Sequence, residues 1–336
     1  MSTVGPILAP AAALPERGSL SGRRPRSRVR LVAFRVRDAF VVLFLVLMAI
    51  FFLGTVVGHP EEQLVPPDAS VEQVQQAREL LGLNRPLVNQ VGSYLSGIVR
   101  GDLGKSVVIA RDVPALSLVT DRLGATFKLT IAGIIVSALL GVGFGVAAGV
   151  RPGSLFDRVS SFVSLACVSF PYFWFGMIMI IVFAVNMKWV PVLADDRVLA
   201  SYFLPALTLA INHGGRLFQL SRSATFDELS KSYITVATAK GFTHRAVVMK
   251  HVMRNIGVVI ATMVGWEYAR MWGGTVFLTE FVFAWPGIGK LVTDAAARHD
   301  FHVIEAGVVV AGLFVVGANL LVDVAYSLID KRVEVS

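Results

Sequence analysis

Twenty consecutive residues, Ala39 to Gly58, carry no charge. That is the length an α-helix needs to cross a bilayer core of about 30 Å, roughly 20 residues. No water reaches the backbone N–H and C=O groups there, so such a run must satisfy them itself, as helix. A secretory signal core is shorter, about 7–15 residues, and ends at a small-residue cleavage site. The exit here, Val56-Val57-Gly58-His59-Pro60, is a poor one, so the run reads as an uncleaved first transmembrane helix. Composition agrees: 55% of residues are hydrophobic and 16% charged, against about a quarter charged in soluble domains.

Five further runs read as spans: Leu129–Val150, Val159–Met187, Tyr202–Arg222, Ile256–Leu278 and Ala306–Ile329. The expected fold is therefore an all-α membrane protein with six transmembrane helices. Phe170-Pro171 interrupts the third span and predicts a kink. Polar residues interrupt the fourth and fifth.

Basic residues orient the chain. Segments 1–38, 151–158, 223–255 and the C-terminal tail carry 8, 2, 5 and 2 Lys and Arg, and the three alternating segments carry 6, 2 and 2. Short loops rich in Lys and Arg stay cytoplasmic, so both termini are expected inside the cell membrane. This distribution accounts for the formal charge of +8 without a nucleic-acid partner. Residues 1–37, rich in Arg, Pro, Ala, Gly and Ser, are expected to be disordered, and residues 38–333 to form the transmembrane domain.

The external segment 59–126 has structure of its own. Ser70-Val71-Glu72-Gln73 is a capping box, followed by Val71, Val74 and Leu81 on one helix face and by Gly82 as a natural helix stop. Pro86 opens a second helix with Leu87, Val91, Tyr94, Leu95 and Ile98 on its apolar side. Together they predict a small helical extracytoplasmic cap, either a docking surface or a cover for the helix ends.

Catalytic signatures are missing. There is no HExxH and no GxSxG, so a hydrolase has no support, and no cofactor or metal is expected. Gly101-Asp102-Leu103-Gly104-Lys105-Ser106 resembles a phosphate loop, but Val99 stands where the motif requires its first glycine. The single cysteine, Cys167, reads as a small apolar filler. His213 has no evident partner.

Residues 223–255 are far longer than a helix reversal needs. They read as a short helix, a glycine stop at Gly241 and a second short helix, with small Ala237 and Ala239 allowing close approach of another surface. The run Tyr233-Ile234-x-x-Ala237-x-Ala239-Lys240-Gly241-Phe242, followed by Arg245-x-Val247-x-x-x-His251-x-x-Arg254-Asn255, resembles the coupling loop of ABC importer permeases. It is most similar to the B-type subunit of the dipeptide/oligopeptide/nickel family. In the same order stand Leu81-Gly82-Leu83-Asn84-Arg85-Pro86, Arg100-Gly101-Asp102-Leu103-Gly104-Lys105-Ser106, Leu204-Pro205-Ala206-Leu207-Thr208-Leu209, Phe283-Ala284-Trp285-Pro286-Gly287-Ile288-Gly289 and Asn319-Leu320-Leu321-Val322-Asp323. The likeness covers about Asp38 to Val333. It departs at Thr235-Val236-Ala237, where the pattern has Glu-Ala-Ala, at Val258 for a proline, and at Asp330-Lys331-Arg332 for Asp-Pro-Arg.

This resemblance implies a type I importer permease fold and a non-catalytic subunit that translocates peptides. Nickel or another small solute, or an ion-coupled carrier, are the alternatives. It implies a second, homologous permease chain, cytoplasmic ABC ATPase subunits and an extracytoplasmic substrate-binding protein as partners. The ATPase contact falls on Tyr233, Ala237, Ala239, Lys240, Gly241, Phe242 and His251. Polar residues within the spans are the candidate path: Asn212, His213, Arg216 and Gln219 on the fourth, Glu267 and Arg270 on the fifth. Asn212, Arg216 and Gln219 share one helix face. Glu267 can pair with Arg270 at i, i+3 or with Arg216, so these charges either line a path or lock two helices.

Overall fold

A computed structural model describes residues 28–57, 61, 65–66, 69–80, 82–191 and 195–329. The chain opens with α1 (Arg28–Phe52), continued by a π-turn to Val57, then α2 (Val71–Leu80) and α3 (Leu87–Arg100). Next come α4 (Ala115–Val150), α5 (Leu155–Ser169), α6 (Tyr172–Met179, extended by a π-turn to Asn186) and α7 (Phe203–Leu229). Helix α8 (Ser232–Ala239) and the single turn α9 (His244–Val247) lead into α10 (Met253–Arg270), α11 (Val276–Val282), α12 (Ile288–Ala297) and α13 (Phe301–Ile329). No strand occurs among the described residues.

Three helical stretches are long and apolar enough to cross a membrane: Ala115–Val150, His244–Val282 and Phe301–Val322. A fourth is the pair Leu155–Ser169 and Tyr172–Asn186, which meet at 99°. The kink expected at Phe170-Pro171 is thus a full corner, because Pro171 supplies no N–H to continue the ladder of α5. The apolar part of α1, Phe40–Thr55, is shorter. Helix α7 is not among the apolar stretches; Asn212, His213, Arg216 and Gln219 interrupt its apolar part. The helix of α1 begins at Arg28, so residues 28–37 of the segment expected to be disordered are helical. Residues 1–27, Leu81 and the tail from Asp330 lie outside the described residues.

The contact between α4 and α7 is the most extensive between any two helices among the described residues. Gly133, Ser137, Gly141, Gly145 and Gly149 recur every fourth residue of α4 and are all buried. They face Gly214, Leu217, Phe218, Ser221 and Thr225 of α7. A Cβ added to Gly145 would lie 2.5 Å from the Phe218 carbonyl oxygen, and one on Gly149 2.6 Å from that of Arg222. Backbone meets backbone, the mode by which small residues join helices in membranes. The Ser137 and Thr225 hydroxyls donate to the Gly133 and Ser221 carbonyls at 2.6 and 2.7 Å, so neither is left unsatisfied.

Helix α5 is pinned to the other side of α7. Asp157, 2% exposed, accepts from the Arg222 guanidinium, with Nη2 at 2.8 Å from Oδ2, and from the Gly153 N–H. Ser154 caps the same helix by accepting from Asp157 N.

At the α2–α3 end the capping box forms as read: Ser70 N–H donates to Gln73 Oε1 at 2.9 Å and Gln73 N–H to Ser70 Oγ at 3.3 Å. The loop with phosphate-loop likeness has a different role. Ser106 Oγ donates to Asp300 Oδ2 at 2.6 Å, and the Val108 and Ile109 N–H groups donate to the same oxygen at 3.0 Å. The nest of donors is occupied by the protein's own carboxylate. Burial raises the Asp300 pKa, but the donors from Ile109, Ser106, Val108 and Val107 outweigh it and hold the group below its ordinary value.

The Trp285-Pro286-Gly287 turn packs inward through its indole. Trp285 is fully buried, donates to the Ala125 carbonyl at 3.1 Å and meets the Tyr202 ring edge-on. Gly287 has no room for a side chain because the buried Glu280 carboxylate fills the space. The turn is an internal brace against α4, with only Ala284 fully exposed.

Two outcomes follow. Gly145→Leu should lower the thermal midpoint of the purified protein in detergent, at an overpacking cost of about 1–3 kcal/mol or more. Gly143→Leu, where no neighbouring atom lies within 4 Å, should leave it unchanged. Asp300→Ala should destabilise at pH 7. A carboxyl with a depressed folded pKa contributes fully above the unfolded value of about 3.9 and loses that contribution as pH falls through the folded value. The gap between wild type and variant in thermal melts should therefore close in strong acid.

Candidate functional site

Two clusters stand out, one at the end of α7 and one at its middle. At the end, Glu228 is 6% exposed and collects three donors. Tyr233 Oη lies 2.6 Å from Oε1, Asn255 Nδ2 2.8 Å from the same oxygen, and Lys231 Nζ 2.6 Å from Oε2. Asn255 also donates to Tyr233 Oη at 2.9 Å. Burial raises the Glu228 pKa, yet the donors from Lys231, Tyr233 and Asn255 prevail and lower it. Tyr233 is therefore an anchor that ties α8 to α7 and α10.

Helix α8 turns Ile234 and Ala237 inward, against Val247, Val252 and Ile256. Ala237 is 7% exposed, so its small size serves the chain's own packing and not the approach of a partner. Val236, Ala239, Lys240 and Phe242 are exposed, a compact face around the helix end. Gly241 has φ +85° and nothing within 4 Å of an added Cβ; glycine is required there by the left-handed backbone, not by space. Phe242 leans edge-on against His251, with centroids 5.6 Å apart. The second short helix of the sequence reading is not separate: α9 continues through a π-turn into α10.

At the middle of α7, His213 Nδ1 lies 2.7 Å from Glu267 Oε2 of α10. His213 is 1% and Glu267 4% exposed. The partner missing from the sequence reading is thus the carboxylate 54 positions on. Arg270 Nη1 stands 3.3 Å from the other Glu267 oxygen, and its side chain is half exposed. The i, i+3 pair forms, whereas the alternative pair of Glu267 with Arg216 does not. Arg216 and Asn212 are half-buried and Gln219 is exposed, so these three share the more open face of α7 while His213 points inward. Just past Arg270 the helix breaks: Gly273 and Gly274 have non-helical dihedrals, with φ +126° at Gly274.

Sequence reasoning missed Glu228 as the anchor of the loop and the His213–Glu267 pair. Only Asn255 carried a signal, as the last residue of the loop motif; contacts across 27 or 54 positions leave none in one sequence.

The arrangement holds charges and braces helices, and it offers no nucleophile with a base. Comparison with known proteins says what uses it. Residues 28–130 match the N-terminal membrane component model of binding-protein-dependent transport systems, extending the likeness ten residues before Asp38. A probable peptide ABC transporter permease protein of Sinorhizobium fredii is 38% identical over 312 residues, covering 90% of this chain and 97% of its own length. The glutathione transport system permease protein of Escherichia coli is 34% identical over 300 residues, covering 89% and 97%. With residues 141–335 matching their family model as well, the chain belongs to the binding-protein-dependent transport system inner membrane components, the permease subunits of ABC importers.

Proposed function

We propose that this chain is the B-type permease of a peptide importer, crossing the cell membrane six times with both termini in the cytoplasm. The six spans are α1, α4, the α5–α6 pair, α7, α10–α11 and α13, with α2 and α3 as an external cap. The exposed face of Val236, Ala239, Lys240 and Phe242 carries this reading. It sits on a short helix whose base is tied by Glu228, Tyr233 and Asn255 to two spans at once. A cytoplasmic ATPase that docks there pushes on α7 and α10 together. A second, homologous permease chain completes the path, and an extracytoplasmic binding protein delivers the cargo. Peptides are the cargo class by likeness to the Sinorhizobium relative. An ion-coupled carrier working through Glu267 needs that carboxylate free, and it is already engaged by His213 and Arg270.

In the complete importer, Gly241→Val should leave assembly intact while peptide uptake falls well below the rate of ATP hydrolysis. A β-branched residue at φ +85° costs about 1–2 kcal/mol and resets the exposed face. Uptake that keeps the wild-type ratio to hydrolysis counts against the docking role. Glu267→Leu alone should lower the melting temperature of the purified protein, because it leaves the buried His213 and the half-exposed Arg270 without their partner. Adding His213→Leu and Arg270→Leu should recover the melting temperature but not uptake if these residues line the path. Recovery of both would mark the group as scaffold.

A further inference from the structure

The charges at the middle of α7 and α10 do not balance. Glu267 is the one carboxylate the described residues place there, and it is consumed: one oxygen faces His213, the other Arg270. Arg216 has no ion-pair partner among the described residues. Both arginines remain accessible, Arg270 half exposed and Arg216 half-buried. A path lined with both signs, as the sequence suggests, is thus cationic on its open side, with the negative charge turned inward.

Geometry gives this surface a direction. Arg270 lies 14 residues after Ile256 on the unbroken helix α10, or about 21 Å along it, inside a ~30 Å bilayer core. A half-exposed guanidinium at that depth cannot face lipid cheaply; it faces water, a ligand or a partner. Helices α7 and α10 run antiparallel, so Arg216 sits about 4.5 Å to one side of the His213–Glu267 pair and Arg270 about 4.5 Å to the other. The Cα positions of the two arginines are therefore offset by about 9 Å along the helix axes. At the helix break, past the buried Met271 and Trp272, Gly273 and Gly274 carry no side chains, and no atom lies within 4 Å of where a Cβ would stand at either position.

We infer that Arg270 and Arg216 are specificity residues that hold the C-terminal carboxylate of the translocating peptide in two successive positions, with His213 and Glu267 as positioning residues. The guanidinium fork matches a carboxylate in plane and spacing, and Glu267 takes one edge of Arg270, which fixes the orientation of the rest. The peptide's amine finds no carboxylate at this level on the open face of α7 and α10 among the described residues. The ligand feature read here is a main-chain carboxylate, independent of side-chain identity. This inference rests on the peptide-permease reading above.

The test uses the complete importer in proteoliposomes, with one peptide bearing a photoreactive residue at its C-terminus and a second bearing it at its N-terminus. Uptake of the unmodified peptide by the wild type is measured first. The C-terminal probe should label residues 263–274 of this chain. Its labelling should drop about tenfold in the Arg216→Gln, Arg270→Gln variant, while the N-terminal probe is unaffected. Arg216→Lys, Arg270→Lys, which keeps the charge but not the fork, should keep part of the labelling and show that the membrane complex still assembles. Equal labelling by the two probes, no labelling of this chain, or labelling indifferent to loss of both arginines overturns the inference while leaving the permease reading standing. A wild-type complex that moves no peptide overturns the peptide reading and this inference with it.

Discussion

Backbone contact between α4 and α7 sets the rest of the structure. Glycine and serine at every fourth position of α4 let α7 approach until carbonyl oxygens replace side chains at the interface. That closeness is what lets a helix as polar as α7 occupy the interior. Dispersion over many close contacts, not burial from water, holds helices together where both sides are apolar. Once α7 is held there, its opposite side is fixed against α5 by Asp157 and Arg222, and its inward His213 is fixed against α10.

Much of the architecture was legible because it depends on local chemistry. The apolar runs, the capping box at Ser70 and Gln73, the stop at Gly82 and the interruption at Pro171 each act within a few residues. The size of the bend at Pro171 was not, since 99° is decided by what each half packs on. Helix ends also ran past the apolar runs: α4 starts at Ala115 although the uncharged stretch begins at Leu129, because helical hydrogen bonding continues wherever water or protein accepts the polar side chains. The site was legible in residue type but not in pairing. His213 and Glu267 each announced themselves as expensive residues in an apolar setting, and only the fold shows that each offsets the other's cost.

Small residues had two uses that a sequence does not separate. Ala237 and Ala239 sit two positions apart on α8, one in the protein's own core and one on its surface. Gly141 and Gly241 are both glycine for unlike reasons, close approach in one and a left-handed backbone in the other. The phosphate-loop likeness at Gly104-Lys105-Ser106 is of the same kind. A run of backbone donors does favour an anion there, and the anion is Asp300.

Helices α7 and α10 are cross-tied twice: at one end by Glu228, Tyr233 and Asn255, and further along by His213 and Glu267. Those ties are 15 residues apart on α7 and 12 on α10, about 18–22 Å. Two rungs at that spacing turn a pair of helices into a stiff ladder, which resists splaying and shear and transmits torque from its foot to its middle. Motion imposed on α8 is therefore not absorbed between α7 and α10. It reaches the level of Arg270 as rotation of the whole ladder, and whatever gap opens must open along the ladder's outer faces, where Arg216 and Arg270 are carried.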